Sequence, residues 1–284
     1  MLKSFIGGTL LIAAGLVYAQ TTAPPSAVPP RLAPEQQESI RKAVGSPVRS
    51  ISNVMRDAGR NPEQTLAFFA VEPQHTVIEI WPGAGWYTEI LAPLLREEGR
   101  YIAAHFDPNS PVEFFRTSLA QYQEKLADDP EVYDRVELQV LNYDPDTPIA
   151  PPGSADRVLT FRNVHNWLSQ GREETAVVFA KMYAALKPGG LLGLVEHRAR
   201  IGTDLETMIR SGYVTEELVI ELAQEAGFEL LSRSPVNQNP QDTTQHPEGV
   251  WTLPPTLRLG DGNRAQYLAI GESDRMTLLF SKPE

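Results

Sequence analysis

Three stretches of this 284-residue chain carry residue types that could do chemistry. The first is Val77-Ile-Glu-Ile-Trp-Pro-Gly-Ala-Gly-Trp-Tyr-Thr-Glu-Ile90. An apolar run containing Glu79 passes through Gly83 and Gly85 into a second apolar pattern. Glycines after a strand let backbone approach a ligand closely, and nucleotide-type cofactors are often held this way. A dinucleotide fingerprint would want a third glycine three residues on, where Thr88 stands. The second stretch is Arg162-Asn-Val-His-Asn-Trp167. Asn163, His165 and Asn166 place polar groups after a strand. His165 could act as a general base near neutral pH, or be a hydrogen-bonded structural histidine at a helix start. The third stretch is Glu196-His197, closing another strand. His165, Glu196 and His197 could in principle ligate a metal, but no spacing demands one and none is expected. With no cysteine, thiol catalysis and thiolate metal sites are excluded. No Gly-x-Ser-x-Gly elbow and no Gly-Lys-Ser phosphate loop occurs, which disfavours those two chemistries.

These stretches must be positioned by the elements around them. From Gln74 onward, strand and helix patterns alternate. Strands are predicted at 75–80, 101–106, 136–141, 157–161, 191–196, 228–232 and 276–280. Helices are predicted at 87–98, 112–127, 174–186 and 215–226. In the second helix Phe115, Leu119, Tyr122 and Leu126 form one apolar stripe. Thr215 reads as an N-cap, Lys187-Pro-Gly-Gly190 as a helix stop, and Pro93 predicts a kink. The alternation predicts an α/β fold: a doubly wound, mostly parallel seven-stranded sheet. Ligands of such sheets sit in the crevice beyond the strand ends. Upstream, amphipathic segments at 34–44, 48–59 and 62–69 predict a helical cap over 34–73 at one sheet edge. An insertion at about 233–274, rich in Pro, Asn, Gln and Gly, carries Val250, Trp251, Leu253 and Leu257. It predicts a lid or a long hairpin before the last strand.

The pattern Glu79-x-Trp81-x-Gly83-x-Gly85 resembles the acid-x-Gly-x-Gly-x-Gly motif of class I (Rossmann-like) S-adenosylmethionine (SAM)-dependent methyltransferases. "LNYDPDTPIAPPGSADRVLTFRNV" resembles that family's third and fourth strands, and "MYAALKPGGLLGLVEH" its Lys-Pro-Gly-Gly turn and fifth strand. "EIWPGAGWYTEILAPLL", "FRNVHNW" and "GESDRMTLLF" together resemble a narrower family of exported, predicted methyltransferases. The resemblance implies SAM as methyl donor. Gly83 and Gly85 would form the turn under its methionine and ribose parts, with Glu79 as the motif acid. Asp144 takes the acidic adenine-side position, and Asn163, after the fourth strand, is counted with the cofactor-binding residues. Two positions depart from the motif. Trp81 replaces the first glycine, where its ring could pack, or face a sulfonium by cation–π attraction of about 0.5–2 kcal/mol. His105 replaces the ribose-binding acid, and Asp107 is the candidate substitute. Catalytic candidates are His165, Glu196 and His197. Methyl transfer is an in-line displacement that positioning alone can speed, so no residue is universally required.

Composition bounds the partners. Hydrophobic residues make up 42%, enough for a full core, and net charge is -11 without a basic block. Nucleic acid is therefore not an expected partner. A small ligand, favoured as cationic by the acidic balance, is expected instead. Met1-Leu-Lys3, an apolar run from Phe5 to Val17 and the small residues around Ala19 form a signal-peptide pattern (1–19), followed by a Pro-rich linker (20–33). The run is too short for a typical membrane span. Export to the periplasm or medium is expected, with 34–284 as the folded domain. Two other readings compete: a non-catalytic ligand-binding protein on the same fold, and an NAD-type oxidoreductase, disfavoured by Thr88 and His105.

Overall fold

The structure is a computed structural model and describes residues 30–284; the expected signal peptide and most of the linker lie outside the described residues. Short β-rich runs supply seven strands: β1 (Thr76–Ile80), β2 (Arg100–His105), β3 (Val136–Val140), β4 (Ala155–Phe161), β5 (Leu186–His197), β6 (Glu229–Ser234) and β7 (Arg275–Ser281). They form one sheet in the order β3-β2-β1-β4-β5-β7-β6. The five on the β3 side pair in parallel. β7 runs antiparallel to both β5 and β6. The chain leaves β1 in one direction and returns to its other side with β4, so a crevice opens between those carboxyl ends.

Strand alternation sorts the apolar residues to two faces. Ile78, Ile80, Val158, Leu192, Leu194 and Leu278 face one core. There they meet α8 (Val164–Leu168), α9 (Arg172–Ala185) and α11 (Glu216–Glu225) through Trp167, Phe179, Met182 and Leu222. Val77, Leu159, Leu191, Val195 and Leu279 face the other. That face is covered by α1 (Pro34–Val44), α4 (Pro62–Phe68) and α5 (Thr88–Leu95). Between α1 and α4 run two single-turn helices, α2 (Ile51–Val54) and α3 (Asp57–Arg60). α6 (Glu113–Asp128) and α7 (Pro130–Tyr133) connect β2 to β3, and α10 (Leu205–Ser211) follows β5. No helix of the described residues is long and apolar enough to cross a membrane.

Four local expectations need correction. The N-terminal helices lie on a face of the sheet and not at its edge. Phe69 presses against Gly193, where a Cβ would come within 2.5 Å of the ring. Lys187-Pro-Gly-Gly190 does not separate helix from strand, because β5 already starts at Leu186. A register shift absorbs these residues, and Gly189 N–H donates to the Lys282 carbonyl. α5 ends at Leu95, three residues short of the predicted Glu98 and two beyond Pro93. The 233–274 segment is no hairpin. It holds a 3-10 turn (Gly249–Thr252) and α12 (Arg264–Ile270). Buried Asp242 pins it, accepting hydrogen bonds from the Tyr213 hydroxyl (2.9 Å) and the Thr244 and Asp274 backbone N–H groups (2.8 Å each). His246 Nε2 lies 2.8 Å from the same carboxylate.

Candidate functional site

Glu79 stands next to last in β1 and is 3% exposed. The Tyr101 hydroxyl donates to its Oε2 at 2.5 Å. Thr88 Oγ1 links that hydroxyl (2.9 Å) to the Tyr122 hydroxyl (3.0 Å). Thr88, in the place of a third glycine, is thus a buried polar link between β1, β2 and α6. Burial raises the Glu79 pKa to about 7, against the opposing pull of the Tyr101 hydrogen bond and Arg162.

After β1 the chain turns sharply. Trp81 has φ +48°, in the left-handed region, and its N–H donates to the Ala104 carbonyl at 2.8 Å. A bulky residue there stores about 1–3 kcal/mol of strain. The indole points beyond the ends of β2 and β3, between Phe106 (ring centroids 4.5 Å), Phe115 (5.4 Å), Trp167 (6.0 Å) and Tyr143 (6.3 Å). It is 6% exposed, and its Nε1 is buried with no hydrogen-bond partner among the described residues. Gly83 (φ +60°) has open space where a Cβ would go. Gly85 (φ +79°) does not face a ligand, because a Cβ there would meet Tyr122 and Lys125 at 3.1 Å. Its missing side chain serves the packing of α6.

The other residues expected on this side do not converge on a ligand. His105 is fully buried; its Nε2 hydrogen-bonds the Gly83 carbonyl (3.0 Å), and the Phe106 N–H donates to its Nδ1 (2.8 Å). Both ring nitrogens are used, and burial lowers its pKa to about 4. His105 therefore supports the turn and offers no edge to a ribose. Asp107 is no substitute: it accepts from the Asn109 N–H (2.7 Å) in its own turn. Asp144 is exposed and closes a turn with the Asp146 N–H (3.1 Å) and the Thr147 hydroxyl (2.9 Å).

Across the switch point the picture reverses. Asn163 Nδ2 donates to the Ile80 carbonyl at 2.8 Å and fastens β4 to β1. Beside it opens a crevice of about 240 Å³, lined by Glu79, Trp81, Gly83, Tyr87, Arg162 and Arg56. Arg56, Arg60 and Arg162 also line an adjoining crevice of about 260 Å³, with His165, His197 and Trp251. There His165 Nδ1 lies 3.0 Å from Glu196 Oε1. Glu196 is fully buried and also accepts from the backbone N–H groups of His165 (3.2 Å) and His197 (2.7 Å). His197 Nδ1 lies 2.5 Å from Ser273 Oγ. Burial, then His165, Arg162 and Arg275, keep the His197 pKa well below its ordinary value.

The three candidate catalytic residues thus meet, with potential ligand atoms within 4.8 Å of one another. Both Glu196 oxygens already accept hydrogen bonds, and nearby guanidiniums oppose a cation. Sequence reasoning missed Arg56, Arg60, Arg275 and Glu272. Asp274 pairs with Arg198, and Arg275 with Glu272. The local charge of the crevice is also opposite to what the acidic composition suggested.

No family model and no curated protein sequence matches the chain. Solved structures do. One is a SAM-dependent methyltransferase from Aquifex aeolicus, 17% identical, covering 87% of this chain and 98% of that one, with a TM-score of 0.51. Another is the [4+2]-cyclase SpnF, 15% identical, covering 90% and 98%, with a TM-score of 0.55. At these identities the likeness establishes the fold: this is the class I methyltransferase architecture, with its seven-stranded 3-2-1-4-5-7-6 sheet. A methyltransferase and a cyclase on one scaffold show why the site must carry the functional argument.

The residues present fit one end of SAM. Glu79 and the arginines beside Gly83 suit an ammonium and a carboxylate, and the crevice there is open. The other end is not free: the Trp81 indole occupies the aromatic hollow beyond β2 and β3.

Proposed function

We propose that this chain is a SAM-dependent methyltransferase acting on a small-molecule or envelope acceptor, with Trp81 as a ring that must leave before the cofactor seats. One observation carries the reading. An acid–glycine turn at the β1/β4 switch point opens on one crevice, and the crevice adjoining it is lined by His165 of a buried His165–Glu196 pair. SAM supplies an electrophilic methyl group for in-line displacement. Glu79 would take the ammonium, Gly83 would give the backbone room, and Phe106, Phe115 and Tyr143 would form the adenine bed. His165 is oriented by Glu196, and its Nε2, without a partner among the described residues, would accept a proton from an acceptor O–H or N–H, with the carboxylate stabilising the imidazolium.

The orphaned Trp81 N–H favours displacement, because a buried donor without a partner costs about 1–3 kcal/mol. Lost indole packing opposes it. The expected result is weak but measurable binding. Titration calorimetry of the mature chain with SAM and S-adenosylhomocysteine should give micromolar binding that tightens in Trp81→Gly. No heat with either ligand, in both proteins, would overturn the reading. That outcome would favour the second one, a non-catalytic ligand-binding protein on this scaffold, which the filled hollow supports. NAD in a thermal-shift panel tests the oxidoreductase reading. Export follows from the signal-peptide pattern and is checked by N-terminal sequencing of the secreted protein, which should begin near Gln20.

A further inference from the structure

The crevice bounded by α2–α3, the end of β4 and residues 250–256 carries a charge opposite to that of the chain. We propose that it binds the carboxylate or phosphate group of a small molecule laid across His165 and His197, with Arg162 and Arg56 as the principal donors.

Three guanidiniums meet around one carboxylate. Arg56 Nε (2.8 Å), Arg60 Nε (3.2 Å) and Arg275 Nη1 (3.0 Å) all reach Glu272. Arg162 has no hydrogen bond or ion pair for its side chain among the described residues, although it lines both crevices. Arg56 Nη2 is buried without a hydrogen-bond partner among the described residues. His165 and His197 spend their Nδ1 atoms on Glu196 and Ser273, and neither Nε2 has a partner among the described residues.

The acid lining this space is Glu272; Glu79 lines the adjoining crevice and buried Glu196 lies behind His165. Glu272 already serves three arginines. Burial holds Glu79 close to half-protonated at neutral pH. Glu196 accepts from His165 and two backbone N–H groups. The positive surplus is therefore local and sits in a wall with unused donors. An oxyanion satisfies such a wall, since guanidiniums bind carboxylate and phosphate by paired N–H donation.

Two further features agree. Arg162 holds φ +63°, a backbone state costly for a bulky side chain, and such strain clusters at ligand clamps. Trp251, with Arg258 stacked on it at 4.7 Å, closes the outer wall with Pro254 and Pro255 and limits the ligand to a small one.

The site does not require SAM and is tested without it. Inorganic phosphate and succinate are titrated separately into the full mature chain by calorimetry. At least one should bind, and tighter phosphate or tighter succinate tells phosphate ester from carboxylate. Arg162→Gly, Arg56→Gln and His197→Ala should each weaken binding at least fivefold, while Lys42→Gln, on α1 away from the crevice, leaves it unchanged. Circular dichroism confirms that each variant is folded. Absence of binding by both anions, or binding unchanged in all three crevice variants, overturns the proposal. Zinc or manganese binding that survives Arg162→Gly and is lost in His197→Ala also overturns it, in favour of a metal site. SAM binding without anion binding sinks this proposal alone; anion binding without SAM binding sinks only the methyl-donor reading.

Discussion

Two hollows lie at the carboxyl rim of the sheet, one on each side of β1. The hollow toward β2 and β3 is apolar, aromatic and filled by the chain's own Trp81. The hollow toward β4 and β5 is polar, arginine-lined and open. The first is packed with interlocking rings over His105, whose two nitrogens are both used, although the Trp81 and Trp167 indole N–H groups and the Tyr143 hydroxyl have no hydrogen-bond partner among the described residues. The second is built by side chains left with unused donors. A fold therefore fixes where a ligand can sit, while the side chains at the rim decide whether that place is already filled and what charge it offers. Glu79 stands between the two, so its titration is the most sensitive probe of their boundary.

The largest effect is expected there. Burial raises the Glu79 pKa from 4.5 to about 7, so the folded state resists ionising it. Stability from the neutral acid is fully present below pH 4.5 and is lost as pH rises through 7. Glu79→Gln keeps an acceptor for Tyr101 without the charge. Its stability relative to wild type should therefore grow with pH, by about 3 kcal/mol from pH 4 to 8. The difference between the two proteins matters, because His75, His105 and His197, all with lowered pKa, push the wild-type profile the opposite way below pH 6.5. Paired chemical denaturation at three pH values checks it. A flat difference would mean that Glu79 is well solvated and the boundary leaks.

The open hollow should collapse when its anchor is cut. Glu196→Ala orphans three buried N–H donors and should cost about 2–3 kcal/mol, lowering Tm by roughly 4–12 °C. Glu196→Gln keeps acceptor capacity for part of the network and should cost less than half of that. Equal losses in the two would show that charge, not hydrogen bonding, holds His165.

The closed hollow should open when its plug is removed. Trp81→Gly relaxes the left-handed φ and empties the aromatic bed. Affinity for SAM should rise about tenfold, equivalent to about 1.4 kcal/mol, while Tm falls because packing is lost. Unchanged affinity would mean that the indole never stood in the way.

How far the residues announced this can be seen in particular places. The strands were legible because Val77-Ile-Glu-Ile80 and its counterparts are short, β-rich and bounded by glycine or proline. The turn at Gly83 was legible because glycine at positive φ is a local property. His105 was misread because its partner, the Gly83 carbonyl, lies 22 residues away. The arginine wall was invisible for the same reason: Arg56 and Glu272 are separated by 216 residues. Arg162 lay inside a quoted motif, yet nothing in its neighbours says that its side chain goes unpaired. The 233–274 segment showed its apolar cargo but not its shape, which is set by Asp242 gathering backbone N–H groups across the loop.

The smallest expected effect separates structural from ligand roles for Arg162. Its backbone at φ +63° favours glycine, and its side chain makes no hydrogen bond among the described residues. Arg162→Gly should therefore stabilise the free protein by about 1 kcal/mol, or roughly 2–4 °C in Tm, relieving strain and cation crowding together. Replacement by alanine removes the charge but keeps the Cβ in the left-handed region, so it should gain less. If the glycine variant instead melts lower than wild type, the guanidinium holds the crevice together. The contrast between a filled, apolar hollow and an open, charged one would then fail at the residue on which it most depends. A rise in Tm would mean that the chain carries a mildly destabilising residue at the meeting point of its two crevices, a cost that makes physical sense only if something outside the chain completes it.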